Sequence, residues 1–299
     1  MSEEDKRVLP STDSSKPPRP QTVVDTYNLG AKFYLNGFPK SGLHLLDMML
    51  RPLALPMPKD HRWLTPWAGM YHGNSWTRDM HPLEKMTYKM GRCQPGYFVK
   101  GHIGYVKAVE RFMYYLGFIH IFIYRDLRDV AVSQAFHYKD ANSEVFSHPE
   151  KELFAEMDID DVLYAVIDGI EGKKAYYPSL LERWNDYQPW LDCDWVQSVR
   201  YEDLRHEPEE WAQNIVMYTI NRMAQVLSLP GAEVDQEVLK NVGAIMAEHS
   251  QRTEISPTFR EGSTGKWVEH FTPGHKKAFK MNWGSEYLIK LGYEKDNNW

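Results

Sequence analysis

The feature that most constrains this chain is Phe118–Tyr124 (FIHIFIY), an apolar run with Arg125 and Asp126 directly behind it. Its β-branched and aromatic residues, with apolar side chains on both faces, read as a buried strand of a parallel sheet. Val130, Ala131, Gln134, Ala135 and Tyr138 follow at helical spacing. The order strand, turn, helix recurs at Lys32–Asn36 (KFYLN), which Gly37 and Pro39 end. Leu45, Leu46, Met49, Leu50 and Leu53 then take helical spacing, and Pro52 marks the expected stop. Tyr97–Lys100 and Trp195–Val199 are further short strand candidates, and Phe279, Trp283, Tyr287 and Leu291 stripe the last helix. Short strands alternating with helices predict an α/β fold, a central parallel sheet flanked by helices.

Residues 1–22 (MSEEDKRVLPSTDSSKPPRPQT) carry too little apolar surface to offset ordering entropy and read as a flexible tail. Residues 23–299 are expected to form one domain. No apolar run approaches the ~18 residues of a membrane span, and the first residues hold no apolar signal-peptide core, so a soluble, cytoplasmic protein is expected. Two cysteines, Cys93 and Cys193, offer neither a disulfide framework nor metal-ligand spacing. A net charge of −6 argues against a general nucleic-acid binder. Residues 141–175 hold nine carboxylates against three lysines, so that segment accounts for the whole imbalance and the rest is formally neutral.

Two motifs carry chemistry. Gly37-Phe38-Pro39-Lys40-Ser41-Gly42 lies between a strand and a helix. A helix start presents unpaired N–H groups and the positive end of the dipole, Gly42 permits close backbone approach, and Lys40 adds a point charge. The ATPase pattern G-x-x-x-x-G-K-[ST] is absent, because the lysine precedes the glycine. The same residues also fit a tight turn with a surface lysine. In the second motif Arg125 stands at the carboxyl end of the best strand and Ser133 lies two turns into the next helix. Ligands of open α/β sheets bind at such strand ends, and arginine with a hydroxyl suits a second phosphate. Arg125 could instead pair with Asp126 or Asp129 and cap the helix, the plainer reading of this motif alone.

Together these blocks resemble the PAPS-dependent sulfotransferases, in particular the cytosolic-type, small-molecule members; PAPS is 3′-phosphoadenosine 5′-phosphosulfate. Phe38–Gly42 is similar to their 5′-phosphosulfate loop, and Arg125 with Ser133 to their 3′-phosphate motif. Lys100-Gly101-His102 resembles their Lys-x-His, Tyr201-Glu202-Asp203 their Tyr-Glu-Asp, and Phe259-Arg260-Glu261-Gly262 their Arg-x-Gly. Gly265-Lys266-Trp267 and His270-Phe271-Thr272 complete the colinear set. The resemblance implies a P-loop-like three-layer sandwich and direct in-line transfer of a sulfuryl group from PAPS to a hydroxyl or amine, without a metal, releasing adenosine 3′,5′-bisphosphate (PAP). It implies His102 as the base, Lys40 as donor to the bridging oxygen, and Lys100 as a second cation. Lys40, Ser41, Gly42, Leu43, His44 and Leu45 would line the 5′ side. Arg125, Ser133, Phe259, Arg260, Glu261 and Gly262 would line the 3′ side, and Tyr201 would contact adenine.

Departures from the family pattern fall in the loop and on the 3′ side. Leu43-His44-Leu45 replaces Thr-Thr-Trp, which removes two hydroxyls and the ring that stacks on adenine; Glu261 stands where a lysine is common. The spacing of His61, His72 and His81 fits no metal motif. Glu202 and Asp203 are expected to cap and salt-bridge a turn. Acceptor-pocket segments are expected near 59–92, with Trp63, Trp67, Tyr71 and Trp76, and near 141–175. Asp158, Asp160 and Asp161 in the second suggest a cationic acceptor and the tryptophans an aromatic one, as in natural product tailoring; a solvated acidic face is the plainer reading. The oligomer is expected to be a monomer or homodimer. A non-catalytic PAPS-binding protein and a P-loop phosphotransferase are the competing readings.

Overall fold

The structure, a computed structural model, describes residues 30–56, 90–139, 151–172, 176–230, 234–251 and 262–299. Strand β1 (Lys32–Gly37) leads into helix α1 (Leu43–Leu50), followed by the short β2 (Leu55–Pro56) and by β3 (Tyr97–Gly101). Helix α2 (Lys107–Tyr115), strand β4 (Phe118–Tyr124) and helix α3 (Leu127–Lys139) follow. Next come α4 (Lys151–Glu156), α5 (Ile159–Asp168), the two-residue strands β5 (Ile170–Glu171) and β6 (Tyr176–Tyr177), and α6 (Leu180–Asn185). Strand β7 (Gln197–Arg200) is followed by α7 (Tyr201–His206), α8 (Pro208–Leu227), α9 (Gln236–Ser250), α10 (Trp267–His270), α11 (Pro273–Met281) and α12 (Gly284–Lys290).

Five parallel strands form the main sheet in the order β2-β3-β1-β4-β7. Side-chain alternation in β4 sorts the core into two layers: Phe118 and Phe122 face one, while Ile119, Ile121 and Ile123 face the other. The first layer is closed by α2, α3, α5 and α6 through Met113, Val130, Val166 and Trp184. The second is closed by α1, α8 and α9 through Leu46, Ile215 and Val242. Apolar cover on both faces is what an all-parallel sheet requires, and the result is the expected three-layer sandwich.

Two expectations need correction. The last strand begins at Gln197, two residues after the expected start: the Tyr218 hydroxyl stands between the Trp195 carbonyl, at 2.7 Å, and the His120 backbone of β4, so direct pairing starts at Ile121 and Gln197. The striped final helix is two helices, α11 and α12, broken where Trp283 takes φ 65° and is 70% exposed. Gly284 then runs so close to the Phe279 ring that a Cβ would lie 2.1 Å from it. Residues 1–22, His61, Trp63, Trp67, Tyr71, His72, Trp76, His81, Phe259, Arg260 and Glu261 lie outside the described residues.

Candidate active site

The carboxyl ends of β1, β3 and β4 meet at one edge of the sheet, and each carries part of the site. At the end of β1, Ser41 N–H donates to the Phe38 carbonyl at 3.0 Å, closing a four-residue turn. Pro39 occupies its second position and Lys40, at φ 73°, its third. Proline second with a positive φ third defines a type II turn, which ordinarily takes glycine or asparagine at the third position. A lysine in the left-handed region costs about 1–2 kcal/mol, so the surroundings must hold it there.

Three anchors do so. The buried Phe38 ring packs edge-on against Trp184 at 5.4 Å and Tyr187 at 5.1 Å. The Ser41 hydroxyl lies 2.6 Å from the Phe38 carbonyl and 2.9 Å from that of Ile123, tying the loop to β4. The Pro39 carbonyl accepts from Gln134 Nε2 at 2.9 Å. Gly42 follows at φ 103°, where a Cβ would stand 2.3 Å from the Tyr201 ring, so only glycine fits. No side chain caps α1; Leu45 N–H already donates to the Gly42 carbonyl at 2.9 Å, so it is the very start of the helix, at Leu43 and His44, that suits an anion. Leu43 and Leu45 pack into the second core layer.

On β3, paired with β1 so that Lys100 stands beside Leu35, two candidates emerge at the same edge. His102 Nδ1 lies 2.7 Å from the Gly37 carbonyl. A carbonyl only accepts, so Nδ1 carries the proton and Nε2 keeps the lone pair. Asn36 clamps the strand ends: its Nδ2 donates to the Ile103 carbonyl at 3.0 Å, and its Oδ1 accepts from Ile103 N–H at 2.9 Å and Gly37 N–H at 3.0 Å. Tyr187 donates its hydroxyl to the His102 carbonyl at 3.0 Å, so the residue that packs on Phe38 also holds His102. Desolvation, opposed by the Gly37 bond and reinforced by Lys40 and Lys100, lowers the His102 pKa to about 4. His44 reaches solvent, yet surrounding protein desolvates it and Lys100 repels its protonated form, lowering it also to about 4. Lys40, His44, Lys100 and His102 therefore share one electrostatic neighbourhood.

Sequence reasoning missed Asp47. Its buried carboxylate on α1 pairs with the Lys100 ammonium through one oxygen and takes Arg51 Nε at 3.0 Å on the other. The signal was a lone carboxylate among the apolar residues of LHLLDMML. Asn36 and Gln134, both fully buried amides, were also missed; a single polar residue inside a core run was the available sign.

Behind β4 the Arg125 guanidinium lies over the Tyr201 ring, 4.5 Å from its centroid. One Nη2 serves Asp129 Oδ2 at 3.2 Å and the Ser263 carbonyl at 2.6 Å. Arg125 Nε is buried with no hydrogen-bond partner among the described residues. Asp129 in turn accepts from the N–H groups of Gly265 at 2.7 Å and Trp267 at 2.9 Å, drawing in the segment that follows Gly262. Ser133 is half-buried on α3, and Gly262 has φ 63°. Tyr201, touching Gly42 on one side and Arg125 on the other, joins the two halves. Glu202 accepts from Asp126 N–H at 3.2 Å and the Tyr293 hydroxyl at 2.7 Å, and the expected ion pair falls to Asp203, whose Oδ1 lies 3.9 Å from Arg200 Nε. Asp158, Asp160 and Asp161 are exposed at the start of α5. Among the described residues no group of His, Cys, Asp and Glu could hold a metal ion, and no helix is long and apolar enough to cross a membrane.

A family model described as "Sulfotransferase domain" matches residues 118–287, beginning at the first residue of β4. Among solved structures, mouse sulfotransferase SULT7A1, complexed with PAP, superposes with a TM-score of 0.55 at 15% identity, covering 91% of this chain and 93% of that one. Retinol dehydratase, in complex with androsterone and the inactive cofactor PAP, gives 0.48 at 12% identity over 90% of this chain and 84% of its own. No curated sequence matches the chain.

Proposed function

The chain belongs to the sulfotransferase family, and we propose that it transfers a sulfuryl group from PAPS to a hydroxyl of a small-molecule acceptor by in-line displacement. One observation carries this reading: Lys40 and His102 converge at one sheet edge with Arg125, and Tyr201 spans the two halves. The residues present fit the donor. An uncapped helix start suits its 5′ side, and the unpartnered Arg125 Nε is a donor suited to its 3′-phosphate. When bound, PAPS supplies a sulfuryl group on a bisphosphate leaving group.

His102 Nε2 takes the acceptor proton as the new S–O bond forms, with Nδ1 steadied by Gly37. A ring with a pKa near 4 is neutral at pH 7, so it enters the reaction unprotonated. An anionic donor beside it raises that value and strengthens it as a base. Lys40 meets the negative charge that collects on the departing bridging oxygen. Lys100 adds a second cation, partly offset by Asp47. Ser41, Gly42, Leu43, His44 and Leu45 form the 5′ wall, with His44 donating in place of a threonine hydroxyl. Arg125, Ser133 and Gly262 receive the 3′-phosphate, a role that the sequence motif extends to Phe259, Arg260 and Glu261, and Tyr201 presents its ring to adenine. All belong to one domain spanning 23–299.

We assign the acceptor as a small alcohol of neutral to cationic character. The exposed Asp158, Asp160 and Asp161 favour a cation through their field rather than by contact. The test is incubation with labelled PAPS and matched cationic, neutral phenolic and anionic alcohols, following PAP and sulfated product. Product with the first two classes is expected. Tight PAP binding without turnover on any acceptor would replace this reading with a non-catalytic binder.

A further inference from the structure

In a type II turn the peptide joining the second and third residues is flipped relative to its type I counterpart, and the third residue's φ changes sign with it. Here that peptide joins Pro39 to Lys40, and its carbonyl is the group that Gln134 holds at 2.9 Å. Gln134 lies on α3, fully buried, immediately after Ser133. Its orientation is unambiguous, because Oε1 accepts from Arg183 Nη1 at 2.6 Å and a guanidinium only donates. The amide nitrogen must therefore face Pro39. Arg183 is itself immobilised on α6: Nε is within 3.1 Å of the Pro178 carbonyl and 3.2 Å of that of Ser179, Nη2 reaches Val166 O at 3.3 Å, and the guanidinium stacks over Tyr177 at 4.6 Å.

We propose that Gln134, oriented by Arg183, is a positioning residue that keeps the Pro39–Lys40 peptide flipped and thereby holds Lys40 in the conformation that presents its ammonium to the transferring group. The relay runs from α6 through α3 to the loop, so packing on one side of the sheet sets the direction of a cation at its edge. Without the donor, the lysine relaxes to negative φ. Only the kinetic part rests on the proposed sulfuryl transfer; the backbone part stands without it.

The test uses Gln134→Glu, which keeps the Arg183 partner but removes the donor to Pro39, with Gln134→Met as the neutral counterpart. Melting temperatures near wild type establish the fold; should the methionine variant fail to fold, the glutamate variant decides. In its crystal structure the 39–40 peptide is expected to be reversed and Lys40 φ negative. An unchanged turn overturns the proposal whether or not the protein has activity. In kinetics, kcat falls about tenfold or more, as a misplacement on the order of 1 Å produces, while PAP affinity stays within about threefold. The double variant Lys40→Ala/Gln134→Glu is no slower than Lys40→Ala alone. Additive losses would show that Gln134 acts through the fold rather than through Lys40. A wild type that neither binds PAP nor forms sulfated product defeats the functional reading and leaves the crystallographic result to judge the brace.

Discussion

At the Lys40 end of the site, backbone geometry is held by neutral groups: a buried ring, a hydroxyl on two carbonyls and an amide on a third. At the Arg125 end, a guanidinium is held by a carboxylate and a carbonyl, and that same carboxylate gathers the segment around Gly265. The first arrangement leaves two cations and two lowered histidines close together. The second compensates its cation before any ligand arrives and completes itself with residues from the far end of the chain. A cluster of like charge fixed in place favours charge that develops during reaction, so the Lys40 end should govern rate. A partly compensated arginine that still has an unused donor should govern affinity.

The sharpest way to break this comparison is His102→Ala. Loss of a general base lowers kcat by about 10²–10⁴, and PAP affinity should remain near wild type in calorimetry. A parallel loss of PAP binding would show that the two ends do not divide the work. In the wild type, the unliganded His102 value near 4 places the acid fall of kcat/KM close to pH 4, since the imidazole stays neutral above it.

Stability should fail earlier in acid than the base does, and His120 is the reason. It lies fully buried in β4, with neither ring nitrogen partnered among the described residues, edge-on to Trp190 at 4.5 Å and Tyr34 at 5.4 Å. Desolvation lowers its pKa to about 3. A folded value below the ordinary 6.5 means that the unfolded chain binds the proton first. This contribution is therefore complete above 6.5 and is lost as pH falls toward 3, by about 1.4 kcal/mol per unit. His44 and His102 shift stability in the same direction. His120→Phe should remove about one proton from the acid limb in denaturation midpoints measured across pH, with turnover at pH 7 preserved. An unchanged limb would mean that His120 is not neutral because of burial.

Arg125→Ala tests the other end. Losing a charge-assisted contact to phosphate costs about 1.5–3 kcal/mol, tenfold or more in affinity. The loss should appear with PAP and be absent with 5′-AMP. Equal losses for both nucleotides would mean that Arg125 supports Tyr201 and the Gly42 approach rather than a 3′-phosphate.

How much of this was legible follows the same division. The strands, the Phe38–Ser41 turn and the helix carrying Ser133 were readable because their signals are local: apolar runs, Gly and Pro at turns, a charge behind a strand. The Asp129 pairing was one of two open readings for Arg125, and the structure shows it coexisting with an unused Nε. Asn36, Asp47, Gln134 and Arg183 were not legible because their meaning lies in partners 49 to 95 residues away. The break at Trp283 escaped for a different reason: its apolar stripe keeps helical spacing through a residue whose backbone does not.

The smallest expected effect concerns Asp47, and it asks whether the Lys40 end is compensated after all. Its carboxylate offsets Lys100, whose side chain is 33% exposed, and counters the repulsion that lowers His44. A partly exposed pair is worth at most about 1 kcal/mol. Asp47→Asn therefore releases Lys100 toward the 5′ side and tightens PAP by up to about fivefold. The gain shrinks as salt is raised, because the released charge is screened. The asparagine still accepts from Arg51, so α1 should keep its stability. Calorimetry at low and high salt decides between two roles. Tighter binding that salt erases means that Asp47 moderates the cation cluster. Unchanged or weaker binding with a fall in kcat means that it holds Lys100 in place, and the Lys40 end would then be paired in the same manner as the Arg125 end.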